Sequence, residues 1–489
     1  MDILKKYVDS FNEADEECYK NDIDNAHAYE WLNGRVPHFE CPDKEFEKTY
    51  YFRWWTFRKH IRSTPDGYVV TEFLPKVPWS NPNNAISAPV GHHLFEARWI
   101  RNSKEFIKDY ILYFLENPAS SHHYSTWTCY AIYKYAKTIG DFDFGESFIE
   151  KLCDYYEEWE KIRGLDTGMF WSFDGEDAME ISISGTTPDF VRRPGVRPTL
   201  NSYMCADAWA IAEFAKIYGR ADIVSKYTAK YEALKSKINE NLYENGFYRA
   251  FHYNEGEDIS NLFEKHANES PRESIGYIPW MFGIPPKGRE DAFRLLGDKN
   301  VFYSDFGHTS AERCHPRFLY EHKHECLWNG YVWPFSISQT LTALLNVINS
   351  YGRTDFKPIF TNLLTRYAYS HHIICEDGSV RPWIDEVRHP DIDDWTSRTI
   401  LKNNGWLPGK GGYERGKDYN HSTFCDLVIT GIVGVDPDAD TLTLRPNIPE
   451  NWDYFKLSGL FFKGKTYTVV YDKTGNVYGF GEGIKIIEE

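Results

Sequence analysis

From about residue 45 to residue 435 the apolar positions of this chain recur every three or four residues, and near Gly434 that period gives way to short β-like runs. A period near 3.6 places one stripe of each segment against a core, so this region can only be a stack of amphipathic helices. Phe106, Tyr110 and Phe114 mark one helix; Phe148, Leu152 and Trp159 another; Tyr227, Tyr231, Leu234 and Ile238 a third. Residues 45–62 form an aromatic-rich helix, a loop from Pro78 leads into one near His92 to Asn102, and residues 121–124 open one carrying Trp127, Ala131 and Tyr135. Asn201 or Ser202 is expected to cap a helix through Tyr218, with Gly219 as its stop. Ile337 to Ile348 and Phe356 to Tyr367 pair as neighbours, and Tyr419 to Ile432 is the last helix. About a dozen helices in hairpins, with long polar loops between some of them, predict a mainly α fold: an α-toroid. After Gly434 the runs LTL, FKLSGLFF, KTYTVVYD, NVYGF and GIKII are broken by Pro, Asn and Gly, and YDKTGNV reads as a tight hairpin turn. The expected division is therefore residues 1–435 as helical barrel and 436–489 as a small antiparallel β-cap.

Composition narrows the function classes. A formal charge of −17 with no Lys/Arg block argues against nucleic-acid and anionic-membrane partners. Nine cysteines without CxxC spacing are neither a disulfide framework nor a zinc cluster, so reduced thiols and a cytoplasmic location are expected. The first residues lack the apolar core of a signal peptide, and no apolar run approaches the length of a membrane span. Aromatic residues make up 17% of the chain. Their broad faces and polar tips suit the weakly apolar faces of sugar rings as well as helix interfaces.

Two acid-rich loops stand out against the helical background. Residues 170–207 hold Asp174, Glu176, Asp177 and Glu180 within seven positions, and residues 375–395 hold Asp385 and Glu386 among others. Both are flanked by Trp and precede a helix. Glycosidic hydrolysis needs such a pair: one carboxyl protonates the leaving oxygen, and the other attacks the anomeric carbon or activates water. The adjacent pairs His92/His93 and His122/His123 would imply a metal only if a carboxylate joined them, and no HExxH spacing exists. Neither metal nor cofactor is expected.

Four segments, NAISAPVGHHLFEARWIRN (84–102), DAMEISISG (177–185), LWNGYVWPFSISQTL (327–341) and PWIDEVRHPDIDDW (382–395), followed by ERGKDYNHSTFCDLVITGIVG (414–434), resemble in order the six-hairpin (α/α)6 glycosidases. That superfamily includes trehalases, family 63 processing α-glucosidases and mannosylglycerate hydrolases. The resemblance implies an (α/α)6 toroid with Glu180 at the general-acid position and Glu386 at the general-base position. Better-known members carry Asp at the acid position, which leaves Asp177 a competitor, as Asp385 is for the base. It implies inversion, with carboxyls roughly 6.5 to 9.5 Å apart. Trp333, Trp328 and Trp383 are expected to stack on sugar, Arg197, His92 and Asn201 to line the pocket, and His421 to close its rim. The reading is an exo-acting hydrolase of a small oligosaccharide or glycoside. The same toroid supports epimerases and polysaccharide lyases, for which the histidine pairs would be the centre, and a non-catalytic sugar-binding protein would keep the aromatic walls without facing carboxyls.

Overall fold

The computed structural model describes residues 2–253, 270–320 and 323–489. Its principal helices are α1 (Ile3–Ala14), α2 (Lys44–Lys59), α3 (Val90–Ala97), α4 (Lys104–Glu116), α5 (Thr128–Ile139), α6 (Phe148–Arg163), α7 (Pro198–Ile217), α8 (Ala221–Asn241), α9 (Pro334–Ser350), α10 (Lys357–Tyr369) and α11 (Thr396–Asn403).

Among the described residues the contacts close into a ring. Helix α3 packs on α5, α5 on α7, α7 on the turn Ile278–Met281, that turn on α9, α9 on Cys425–Leu427, and the last back on α3. These inner segments are buried nearly all round, α7 from Pro198 to Ala208 without a break, which is the signature of a helix enclosed on every side. Helices α2, α4, α6, α8, α10 and the 3-10 segment Glu290–Gly297 form the outer layer. The fold is the (α/α)6 toroid.

Ring closure joins the first inner helix to the last through buried charge. The Glu96 carboxylate of α3 accepts from the backbone amides of Phe424 (2.5 Å), Cys425 (3.0 Å) and Asp426 (2.8 Å). A carboxylate on three amides at a helix start satisfies donors that have no intrahelical partner. Asp426 in turn accepts from Arg98 Nε at 2.8 Å and Trp99 Nε1 at 2.6 Å. These bonds also start the last helix later than its periodicity predicts: Tyr419–Thr423 is irregular, with Asn420 N bonded to the Glu72 carbonyl at 3.0 Å.

Helix α7 likewise starts earlier than Asn201. Arg197 is its N-cap and Pro198 its first residue, a position where the missing amide costs nothing. Asn201 lies inside the helix, and its amide brackets Phe170 by accepting from Phe170 N (2.9 Å) and donating to Phe170 O (2.8 Å). It pins the start of the acid-rich loop.

The C-terminal strands β4 (Tyr454–Phe462), β5 (Lys465–Asp472) and β6 (Gly483–Glu488) form an antiparallel sheet. Its fourth strand, β1 (His38–Glu40), comes from the N-terminal region, with Phe39 opposite Leu457. The expected tight turn is instead a loop over residues 473–482 in which the Asp472 carboxylate caps the amides of Gly475 (2.8 Å), Val477 (2.7 Å) and Tyr478 (3.0 Å). That cap competes with strand pairing, so NVYGF forms no strand.

Candidate active site

One cavity of about 230 Å³ is lined by Glu72, Tyr124, Glu180, Cys326, Trp333, Glu386, Arg415 and Tyr419, with others. Glu72 precedes α3, Tyr124 precedes α5, Glu180 precedes α7, Cys326 and Trp333 precede α9, and Glu386 to Tyr419 precede Cys425–Leu427. Apart from Glu386, which lies ahead of α11, each of these residues sits in a segment that leads directly into an inner helix. The site occupies the end of the ring where the inner helices begin, the positive end of their dipoles.

Glu180 is presented by a loop under backbone strain. Ala178 (φ 57°) and Ile181 (φ 62°) both adopt left-handed conformations although neither is glycine, an arrangement that costs energy and concentrates at functional positions. Asp174 holds the loop by accepting from Ser182 N (3.1 Å), Ser182 Oγ (3.1 Å) and Thr186 Oγ1 (2.9 Å). Burial raises the Glu180 carboxyl to about 7, and the charges of Asp174 and Glu386 add to the shift.

Glu386 faces the same cavity in a different electrostatic setting. Arg415 Nη2 donates to its Oε2 at 2.5 Å, and Cys326 Sγ approaches its Oε1 at 3.7 Å. Burial raises the Glu386 carboxyl and the ion-paired Arg415 guanidinium pulls it back; at Glu180 the charge of Arg192 opposes the rise without an ion pair. Arg415 also meets Glu325 at 3.2 Å.

Asp177, the competitor for the acid, lies outside the cavity. Its oxygens accept from Ser125 Oγ (2.7 Å), Ser172 Oγ (3.3 Å), Arg197 Nε (2.6 Å) and Thr199 Oγ1, which leaves no lone pair for a substrate. Arg197 bonds Asp177 and, at 3.0 Å, Ser184 Oγ, and does not line the cavity. Asp385 sits behind Glu386, accepting from Glu386 N (2.8 Å) and Ser397 Oγ (3.0 Å). Its carboxyl is raised to about 7, by burial first and the Glu386 charge second.

Trp333 lines the cavity, fixed by its Nε1 bond to the Leu327 carbonyl at 2.8 Å. Trp328 stacks on its far face, centroids 4.3 Å apart and planes at 16°. His421 lies beneath the pocket, 3.7 Å from the Tyr419 ring. His92 is farther in, between Trp127 (4.9 Å) and Phe335 (4.7 Å). Trp383 lines a different, larger cavity.

Sequence reasoning missed Glu72, Arg415, Cys326 and Tyr124. Glu72 is 5% exposed, accepts a hydrogen bond from the Tyr419 hydroxyl, and is pushed up to about 8 by burial, with the Glu386 and Glu180 charges contributing. It follows the strand pair Ile61–Thr64 and Gly67–Val70 with no spacing to flag it. Arg415 and Tyr419 stand in the quoted 414–434 stretch, where only their neighbours drew notice.

Residues 82–422, more than half the chain, match the model of the mannosylglycerate hydrolase MGH1-like glycoside hydrolase domain. The chain belongs to this glycoside hydrolase family. Residues 435–487 match the C-terminal domain of glycosyl hydrolase family 65. A solved structure named sialidase is 33% identical over 99% of this chain, with a TM-score of 0.87. The chain spans 42% of that protein's length. The rhamnosidase of family GH78 from Bacillus sp. GL1 shares the fold at 13% identity and a TM-score of 0.54, over 90% of this chain and 40% of its own. The α-L-rhamnosidase from Dictyoglumus thermophilum does so at 12% and 0.51, over 90% and 43%. Glu180, Glu386 and Trp333 all lie within the matched hydrolase domain. No helix among the described residues is long and apolar enough to cross a membrane.

Proposed function

We propose that this chain removes a terminal sugar from a small oligosaccharide or glycoside by single-displacement inversion, with Glu180 as general acid and Glu386 as general base. The observation that carries this reading is that the two carboxyls share one cavity in opposed settings. Glu180, without an ion-pair partner and raised to about 7, holds a proton for the leaving oxygen. Glu386 is bonded to Arg415, which opposes the rise that burial imposes on its carboxyl, and is the group placed to take a proton from water. Divergent environments around two carboxyls are how an acid and a base are assigned. Trp333 supplies the flat face for the sugar, and Glu72, kept neutral, supplies both a donor and an acceptor for ring hydroxyls.

A cavity of about 230 Å³ is smaller than the roughly 300–1,000 Å³ of typical ligand pockets. That size suits one sugar residue held at the chain end, which is exo action. Arg415 is engaged by Glu386 and Glu325, and Arg192 and Lys410 also line the cavity. The histidine pairs expected of an epimerase or lyase lie elsewhere, His93 bonding Tyr110 Oη and the Asn420 carbonyl, both at 2.7 Å, and His122 the Tyr155 carbonyl at 2.9 Å.

The test is turnover of aryl glycosides of neutral hexoses and of an aryl sialoside by wild type, Glu180→Gln and Glu386→Gln, with the first-formed anomer read by proton NMR. Turnover of at least one of these glycosides, inverted product and losses of about 10² to 10⁴ in kcat for each variant are expected. Full turnover by both variants, or retained configuration, refutes the assignment.

A further inference from the structure

The largest cavity described, about 670 Å³, is separate from the one that holds Glu180 and Glu386. Trp55, Trp383, Trp406 and Tyr413 contribute aromatic surface to it. Trp406 and Tyr413 meet at 5.5 Å with planes at 67°, forming an angled pair at the rim where Tyr413 is 52% exposed.

Three of its lining residues carry left-handed backbone without being glycine: Trp406 (φ 54°), Glu414 (φ 45°) and Asp418 (φ 59°). For an indole-bearing residue this conformation is sterically disfavoured. Strain of this kind persists only where the surrounding structure enforces it, and it gathers at ligand clamps. Gly405 (φ 72°) precedes Trp406, so two consecutive left-handed residues after α11 turn the indole towards Tyr413.

The polar lining is charge-compensated. Arg398 forks onto Glu414 with Nε at 2.8 Å, Lys402 meets Glu376 at 2.7 Å, Lys417 meets Asp15, and Lys59 holds Asp15 and Asp418, each at 2.7 Å. A lining whose lysines and arginines are mostly spent on carboxylates offers many hydrogen-bonding atoms, and its six carboxylates against four cations disfavour an anionic ligand. With the aromatic faces, that is the chemistry of a neutral polyhydroxylated ligand, and the volume lies within the range of roughly 300–1,000 Å³ that holds several sugar rings.

The two cavities share a wall. In residues 414–419 the side chains divide: Glu414, Lys417 and Asp418 line the large cavity, Arg415 and Tyr419 the catalytic one. Trp383 and Glu386 divide in the same way along the neighbouring segment. The wall is close-packed, since a Cβ on Gly416 would lie 2.0 Å from Asp385 Oδ1.

We propose that the 670 Å³ cavity is a second saccharide site, which holds a neutral oligosaccharide on Trp406, Tyr413 and Trp383 across the wall from the catalytic pocket. The proposal builds on the carbohydrate reading above, and the two can fail separately. Calorimetric titration of the full chain carrying Glu386→Gln with maltotetraose, cellotetraose, α-mannotetraose and sialyllactose tests it.

At least one neutral tetrasaccharide is expected to bind, insensitively to NaCl. Adding Trp406→Ala and Tyr413→Ala should weaken that binding about fivefold or more, and Trp406→Phe should restore part of it. In the otherwise unaltered enzyme the double change should leave aryl-glycoside kcat/KM within about twofold and the melting temperature unchanged, as both side chains stand at the rim. Binding that is indifferent to Trp406→Ala, preference for sialyllactose, or no binding at all overturns the proposal. Trp406-dependent binding with no glycoside hydrolysed leaves the second site standing and defeats the catalytic assignment; hydrolysis without such binding does the reverse.

Discussion

Glu180 and Glu72 are both carboxyls that burial keeps protonated into the neutral range, and each leaves its own mark on pH dependence. For Glu180, raised to about 7, the active form of a general acid is protonated, so kcat/KM should fall as pH rises through about 7. The Glu180→Gln variant should lose that alkaline limb along with most of its rate. An alkaline limb that persists in Glu180→Gln assigns the acid elsewhere. For Glu72, raised to about 8, the native state binds the proton more tightly than the unfolded chain. Its stability contribution is complete below the ordinary carboxylate range and is lost as pH rises through about 8. Glu72→Gln cannot ionise, so its melting temperature relative to wild type should climb between pH 5 and pH 9; a constant difference would contradict the burial of that carboxyl. Legibility differed between the two. Glu180 stands in a motif of consecutive residues, whereas Glu72 acquires its meaning only from Tyr419, 347 positions away.

At the scale of elements, the inner helices are held to close approach by small residues. A Cβ on Gly91, in α3, would lie 2.1 Å from the Trp127 ring, and Trp127 is fully buried. Gly91→Ala gains about 1 kcal/mol of helix propensity, against about 1–3 kcal/mol for overpacking a filled core. With a contact this short the overpacking term wins, so thermal or denaturant unfolding should show a net loss of up to about 2 kcal/mol, and a stabilised variant would mean that α3 and α5 sit farther apart. Periodicity located these helices well, as in α9 and α10, because the apolar stripe is a local property of the chain. Their ends were less legible. Asn201 has the chemistry of a cap, yet it was drawn inside α7 by the Phe170 backbone, and the YDKTGNV turn was opened by Asp472 serving amides beyond Gly475.

For the whole molecule, the question is whether barrel and cap can part. Strand β1 pairs with β4, and Trp452 packs on Phe46 at 5.1 Å and Phe39 at 6.2 Å. Removing residues 436–489 would bare this aromatic cluster and a strand edge, so the shortened chain should be insoluble or melt well below the full one, as differential scanning calorimetry would show. A truncated barrel with unchanged melting would make the cap dispensable. The sequence by itself determined the mainly α barrel, the β character after Gly434 and the two acid-rich loops, because hydrophobic period and local composition are written residue by residue. Only the tertiary structure decided that Glu72, Glu180, Glu386 and Arg415 line one cavity while Asp177 and Trp383 face elsewhere. Ring closure brings loops hundreds of residues apart to the same end of the inner helices, and it is desolvation and pairing there, not residue type, that set which carboxyl keeps a proton.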